Sequence, residues 1–213
     1  MRVLYLHGFA SSSKSTKAAY FGERFRARGV ELECPDFNEP DFTTMTMTRM
    51  LAQLEAALDR NHEPATLIGS SLGGTLAVLA AARFAGRVSR LVLMAPAVMF
   101  AKPGHHRLSP DRVQAWRDRG VLPFFHYAYN EERPLAFSFY EDSLQYDAFG
   151  AAFQQPAAIF QGRHDRSVDA KTVHAFAASR PNVALTLLED DHQLIASLPV
   201  MWDRTVRFLG LSA

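Results

Sequence analysis

Between residues 65 and 83 the chain reads ATLIGSSLGGTLAVLAAAR, with two adjacent serines set among glycines. A short apolar run precedes the serines and a longer apolar run follows, as in a strand that turns directly into a helix. With so few residues between strand and helix, the residue at the apex is held in a strained backbone conformation and its side chain is pushed outward. If Ser71 is the apex, the positions two before and two after it are Gly69 and Gly73, where a Cβ would clash. If Ser70 is the apex, they are Ile68 and Leu72, both too large. The pattern G-x-S-x-G therefore selects Ser71 as a candidate nucleophile, with Gly74 easing the packing of helix on strand.

A serine hydroxyl is a poor nucleophile at neutral pH without a base, and the base needs an acid to orient it. In a strand-turn-helix setting the chain order is serine, then Asp or Glu, then His, each on a loop after a strand. Asp165 follows the apolar run AAIFQG (157–162), and His192 follows VALTLLE (183–189). The spacings of 94 and 27 residues leave room for the intervening elements. Asp190 and Asp191 stand beside His192 and are the alternative to Asp165, although adjacency in sequence rarely gives the geometry to reach Nδ1. His7, His105, His106, His126, His164 and His174 lack the position after the last strand. The remaining need is a pair of backbone N–H groups for a developing oxyanion. Leu72, next after the nucleophile, and Phe9, in the loop LHGFASSS after the first strand, are the candidates, with His7 tethering that loop.

These side chains require a sheet with its strand ends on one edge. RVLYLH (2–7), VELECPDF (30–37), ATLIGS (65–70), RLVLMAP (90–96), AAIFQG and VALTLLE read as strands. Most are continuous apolar runs, the pattern of a parallel sheet covered on both faces. The helices between them have clear grammar. Met47, Met50, Leu51, Leu54 and Leu58 form one buried stripe. The helix after Ser71 is apolar nearly all round, with Gly86 as its expected stop, and Ser197 and Gly210 bracket a last helix. Strands alternating with helices predict an α/β layer architecture in a single domain spanning residues 1–213.

Residues 98–153 break the rhythm. Ser109, Pro110 and Gly120 mark the start and stop of one short helix. From Trp116 to Phe153, 38 residues hold 11 of the chain's 24 aromatics, more than a connection requires. The segment reads as a helical cap whose aromatics, Trp116, Phe124 and Phe125 among them, either fill its own core or line an apolar pocket. An exposed aromatic face there could also serve a homodimer contact.

Composition narrows the function classes. Apolar residues make up 48% of the 213, and 23 basic residues balance 22 acidic ones without blocks of either sign. No nucleic-acid footprint and no membrane span is present in that pattern. The single cysteine, Cys34, excludes an internal disulfide and a cysteine-based zinc site, and suits a reducing compartment. The opening MRVLYLHG is too short for a secretory apolar region, so a cytoplasmic protein is expected. No metal or organic cofactor is called for.

The segments YLHGF, GSSLGG, QGRHD and DDHQL, in that order, resemble the α/β-hydrolase superfamily over almost the whole chain. Within it, the N-terminal LYLHGF followed by serines and by Ser15–Ala18 is similar to small bacterial carboxylesterases of the YqiA type. The resemblance implies an α/β-hydrolase fold with six parallel strands, without the two leading strands of larger members, and a cap inserted after the strand ending near Pro96. It implies hydrolysis of a small ester or thioester, with Ser71 as nucleophile. Phe9 and Ala10 follow the His-Gly pair where lipases carry further glycines, so the oxyanion site is of the simpler esterase type. Asp190 and Asp191 replace the small residues often found before the histidine, and such carboxylates favour a charged imidazole. The same scaffold also serves thioesterases, perhydrolases and carbon–carbon bond hydrolases, and a catalytically silent binding module is the reading from a different class.

Overall fold

The computed structural model describes residues 1–102, 104–105 and 108–211. His106, one of the histidines weighed above, lies outside the described residues. Six parallel strands form the central sheet: β1 (Arg2–Leu6), β2 (Leu32–Glu33), β3 (Ala65–Ser70), β4 (Val88–Met94), β7 (Ala157–Gly162) and β8 (Val183–Leu188). Their order is β2-β1-β3-β4-β7-β8, so the chain reverses direction across the sheet after β2, between β1 and β3. Every carboxyl end therefore lies on one edge, where loops from β1, β3, β7 and β8 can meet.

Successive residues of the inner strands serve opposite faces. Leu4, Leu6, Leu67, Leu91, Leu93 and Ile159 pack under the helices α2 (Met47–Asp59), α3 (Leu72–Arg83) and α6 (Ala170–Ala178). Val3, Tyr5, Ile68, Val92, Met94 and Phe160 pack under α1 (Thr16–Arg26) and α7 (Leu198–Leu209). The predicted stripe of α2 is buried, and the Thr46 hydroxyl caps its start by accepting from the Arg49 N–H. Among the described residues no helix is long and apolar enough to cross a membrane.

Three boundaries differ from the sequence reading. β2 is only two residues long, because Pro35 stands two residues after its end and cannot donate to a ladder. α3 ends at Arg83, and Gly86 falls in a tight turn at Ala85–Arg87 that feeds straight into β4. Ser197 does not cap α7 with its side chain; its backbone N–H instead donates to Asp190 Oδ2, and Pro199 stands in the helix's first turn.

The insertion between β4 and β7 is mixed, not wholly helical. It holds α4 (Pro110–Arg119), an antiparallel hairpin of β5 (Val121–His126) and β6 (Glu131–Ala136), and α5 (Ser138–Ser143). The expected caps of α4 are present: the Ser109 hydroxyl accepts from Arg112 N–H, and Gly120 adopts φ +73°. The hairpin follows a period of two. Leu122, Phe124 and His126 point inward, while Val121, Phe125 and Tyr127 face solvent. Trp116 anchors the cap core, 2% exposed, with its indole N–H donating to the Leu135 carbonyl.

Candidate active site

Ser71 sits between β3 and α3 at φ +53°, a region a β-carbon makes costly for any residue but glycine. Backbone hydrogen bonds hold it there. Its N–H donates to the Met94 carbonyl at 2.9 Å, and its carbonyl accepts from Gly74, Thr75 and Ala97. The flanking glycines permit the close approach: a Cβ on Gly69 would overlap the Gly73 backbone, and one on Gly73 would overlap the Leu6 carbonyl at the end of β1. Ser70, by contrast, is 6% exposed, and its side chain is hydrogen-bonded to the Tyr5 hydroxyl.

Ser71, Asp165 and His192, separated by 94 and 27 residues in sequence, converge at the sheet edge. His192 Nε2 lies 3.1 Å from Ser71 Oγ, and its Nδ1 lies 2.8 Å from Asp165 Oδ2. Asp165 accepts three further bonds, from the Gln161 side chain and from the backbone N–H groups of Ser167 and Val168. Burial alone would raise its pKa, but the bonds from His192, Val168 and Ser167 outweigh burial and hold it below the usual carboxylate range. An ionised Asp165 fixes the imidazole with its proton on Nδ1, leaving Nε2 to accept from the serine hydroxyl.

Asp190 and Asp191 are not the histidine's partners. They shape the loop that carries it: Asp190 accepts from the Asp191 and Ser197 N–H groups, and Asp191 accepts from the Gln193 N–H. The loop crosses the end of β7 against Gly162, where a Cβ would stand 2.5 Å from the carbonyl oxygens of both aspartates. Gln161, Gly162 and Lys17 are contributors the sequence reading missed. A glutamine in the otherwise apolar strand 157–162 was the available signal for the first.

Phe9 lines the same cavity as Ser71 and Leu72 opens α3 directly after it, and among the described residues neither backbone N–H has a protein acceptor. The loop bearing Phe9 is tethered at several points. His7 Nδ1 bonds the Gly8 carbonyl, and its Nε2 accepts from the Phe37 N–H. Ala10 is held at φ +52°, and its carbonyl accepts from the Tyr127 N–H of the cap hairpin. Asn38 joins the two sides, donating to the Ser11 carbonyl and to Asp36 while its Oδ1 accepts from His126 Nε2 at 3.0 Å. His126 is fully buried, and burial pushes its pKa down, so the ring is neutral. Replacing Asn38 with alanine leaves that buried N–H unpaired. A loss of about 1–3 kcal/mol in urea unfolding is expected.

A cavity of about 690 Å³ opens from Ser71 under the cap. Its apolar wall includes Phe9, Phe100, Trp116, Phe124 and Phe139, while Arg166, Asp169 and Thr172 stand on its polar side. The cap aromatics thus divide three ways. Trp116 and Phe139 serve core and cavity together, Phe124 lines the cavity, and Phe125 and Tyr127 face outward. Among the described residues, no cluster of three His, Cys, Asp or Glu is arranged to hold a metal ion.

Solved structures with this architecture include proteins described as hydrolases, esterases and lipolytic enzymes. A protein described as a hydrolase from Agrobacterium vitis S4 superposes with a TM-score of 0.84 at 26% identity, covering 96% of this chain and 86% of that one. Est1E from Butyrivibrio proteoclasticus, solved with ferulic acid bound, gives 0.83 at 20% identity over 97% and 87%. Mouse alpha/beta hydrolase domain-containing protein 10 gives 0.81 at 19% identity over 98% and 89%. No curated protein matches the sequence. The fold is that of the α/β-hydrolases, and residues 2–208 match one family over nearly the whole chain: the protein belongs to the Uncharacterised protein family (UPF0227).

Proposed function

We propose that this chain is a serine hydrolase that cleaves small carboxylic esters, thioesters included, through an acyl-enzyme intermediate on Ser71. The observation that supports the reading most is the continuous relay from Ser71 Oγ through both nitrogens of His192 to Asp165, opening on an apolar cavity. Ser71 Oγ attacks the substrate carbonyl carbon as its proton passes to His192 Nε2. The resulting oxyanion accepts from the Phe9 and Leu72 N–H groups, the latter at the positive end of α3. The imidazolium, stabilised by Asp165, protonates the departing alcohol or thiol. Water deprotonated by His192 then attacks the acyl carbon and frees the acid. Neither a metal nor an organic cofactor enters these steps.

The test is a fluorophosphonate probe, which phosphonylates only an activated serine. Wild-type protein and Ser70→Ala are expected to carry one adduct each, mapped by mass to the peptide containing Ser71. Label that is absent from folded wild type, or that disappears with Ser70, overturns the reading and favours a silent binding module. A matched panel of p-nitrophenyl esters and acyl thioesters then ranks the leaving groups.

A further inference from the structure

Lys17, the second residue of α1, is buried where a lysine is poorly accommodated. It is 8% exposed and sits at the positive end of a helix, where cations are disfavoured. Among the described residues no carboxylate oxygen comes within ion-pair distance of it. Its Nζ donates to the Gln193 carbonyl at 2.8 Å, 176 residues away and immediately after His192. A neutral chain of similar length would fit this position with less penalty. What it would not supply is a positive charge.

The surroundings explain the use of that charge. Three carboxylates, Asp165, Asp190 and Asp191, lie around the His192 loop and act on the Lys17 ammonium. All three also favour the protonated imidazole, which cannot accept a proton from Ser71. The arginines nearby are committed or peripheral: Arg163 pairs with Glu189, which His164 Nε2 also meets, and Arg166 stands on the cavity wall. On β1, against which α1 packs, the Tyr5 hydroxyl is hydrogen-bonded to Ser15 and Ser70 and pushed up to about 12, chiefly by burial.

We propose that Lys17 is a positioning residue that pins the His192 loop and offsets its surrounding carboxylates, keeping the imidazole unprotonated and competent as a base at neutral pH. This rests on the reading of His192 as the general base. Burial brings the ammonium down to about 8 while Asp191, Asp190 and Asp165 pull the other way, so it stays charged through the range in which an imidazole titrates.

The experiment pairs two readouts on wild type, Lys17→Met, Lys17→Gln and Lys17→Arg. The first is the pH dependence of kcat/KM with p-nitrophenyl acetate, and the second is the NMR titration of the His192 ring. Both neutral variants are expected to move the acid limb and the ring titration upward by about one pH unit. Lys17→Gln, which keeps a donor, should retain more kcat on the plateau than Lys17→Met. Lys17→Arg should titrate like wild type. Circular dichroism confirms folding, and Lys17→Gln carries the test if Lys17→Met does not fold. A ring titration unchanged or lowered in the neutral variants overturns the proposal, whatever the activity. Wild type that titrates normally but neither turns over esters nor labels on Ser71 overturns the hydrolase reading instead.

Discussion

Replacing Ser71 with alanine is expected to lower kcat for a p-nitrophenyl ester about a million-fold, with KM nearly unchanged, and Asp165→Asn to lower it about ten-thousand-fold. The two losses have different causes. On the proposed mechanism no acyl-enzyme forms without Ser71 Oγ, and only the candidate donors, the N–H groups of Phe9 and Leu72, remain to assist water. With asparagine at 165 the nucleophile is intact but the base is wrongly protonated. Asp165 Oδ1 accepts from the Ser167 and Val168 N–H groups, so an asparagine would keep its carbonyl there and turn its amide NH₂ toward His192. That NH₂ would meet Nδ1, forcing the ring proton to Nε2, where it faces Ser71 Oγ. It would also face the Gln161 amide, donor against donor. Stopped-flow and steady-state kinetics on folded variants check both values. Ser70→Ala should stay within about tenfold of wild type, because Ser70 bonds Tyr5 and not the relay.

Gly73→Ala is expected to prevent folding or to cost more than about 5 kcal/mol, beyond the range of ordinary substitutions. The added Cβ would overlap the carbonyl of Leu6 and stand 2.8 Å from the carbonyl oxygen of His7. Both atoms belong to the backbone where β1 passes into the loop bearing Phe9, so no side chain can turn aside. Relief would require α3 to move off the sheet or that loop to shift, and either change displaces a candidate oxyanion donor. Gly86→Ala is the control: nothing lies within 4 Å of its added Cβ, and its stability should change by no more than about 0.5 kcal/mol. Urea denaturation of the two variants provides the comparison.

The difference between those glycines also shows what was legible in the sequence. G-x-S-x-G carries its own geometry, since only small residues allow β3 and α3 to pass so closely, and Ser71 could be separated from Ser70 by the size of their neighbours. The order of Asp165 and His192 followed from strands that are continuous apolar runs. Other parts depend on contacts between segments remote in sequence. Gly162 is required because the loop of Asp190 and Asp191 crosses it, and Lys17 acts across 176 residues. The hairpin β5–β6 was missed because aromatic density masked its alternation, and Pro123 and Pro134 weakened it as a strand signal. Those prolines pair opposite each other in an isolated two-stranded ladder, where the missing N–H groups cost least.

The division between sheet and cap bears on how such a chain can diverge. Ser71, Asp165 and His192 all stand on loops of the six-stranded sheet, whereas most of the cavity's rings come from the insertion. Phe100 and Phe124 are only half-buried, so exchanging them would reshape the cavity while leaving the sheet's packing intact. Trp116 is less free, because the ring that faces the cavity also holds α4 against β6 through the Leu135 carbonyl. Drift in substrate range should therefore run through Phe100 and Phe124 before Trp116, and an ancestor and its descendants could differ in what the cavity admits while sharing one relay.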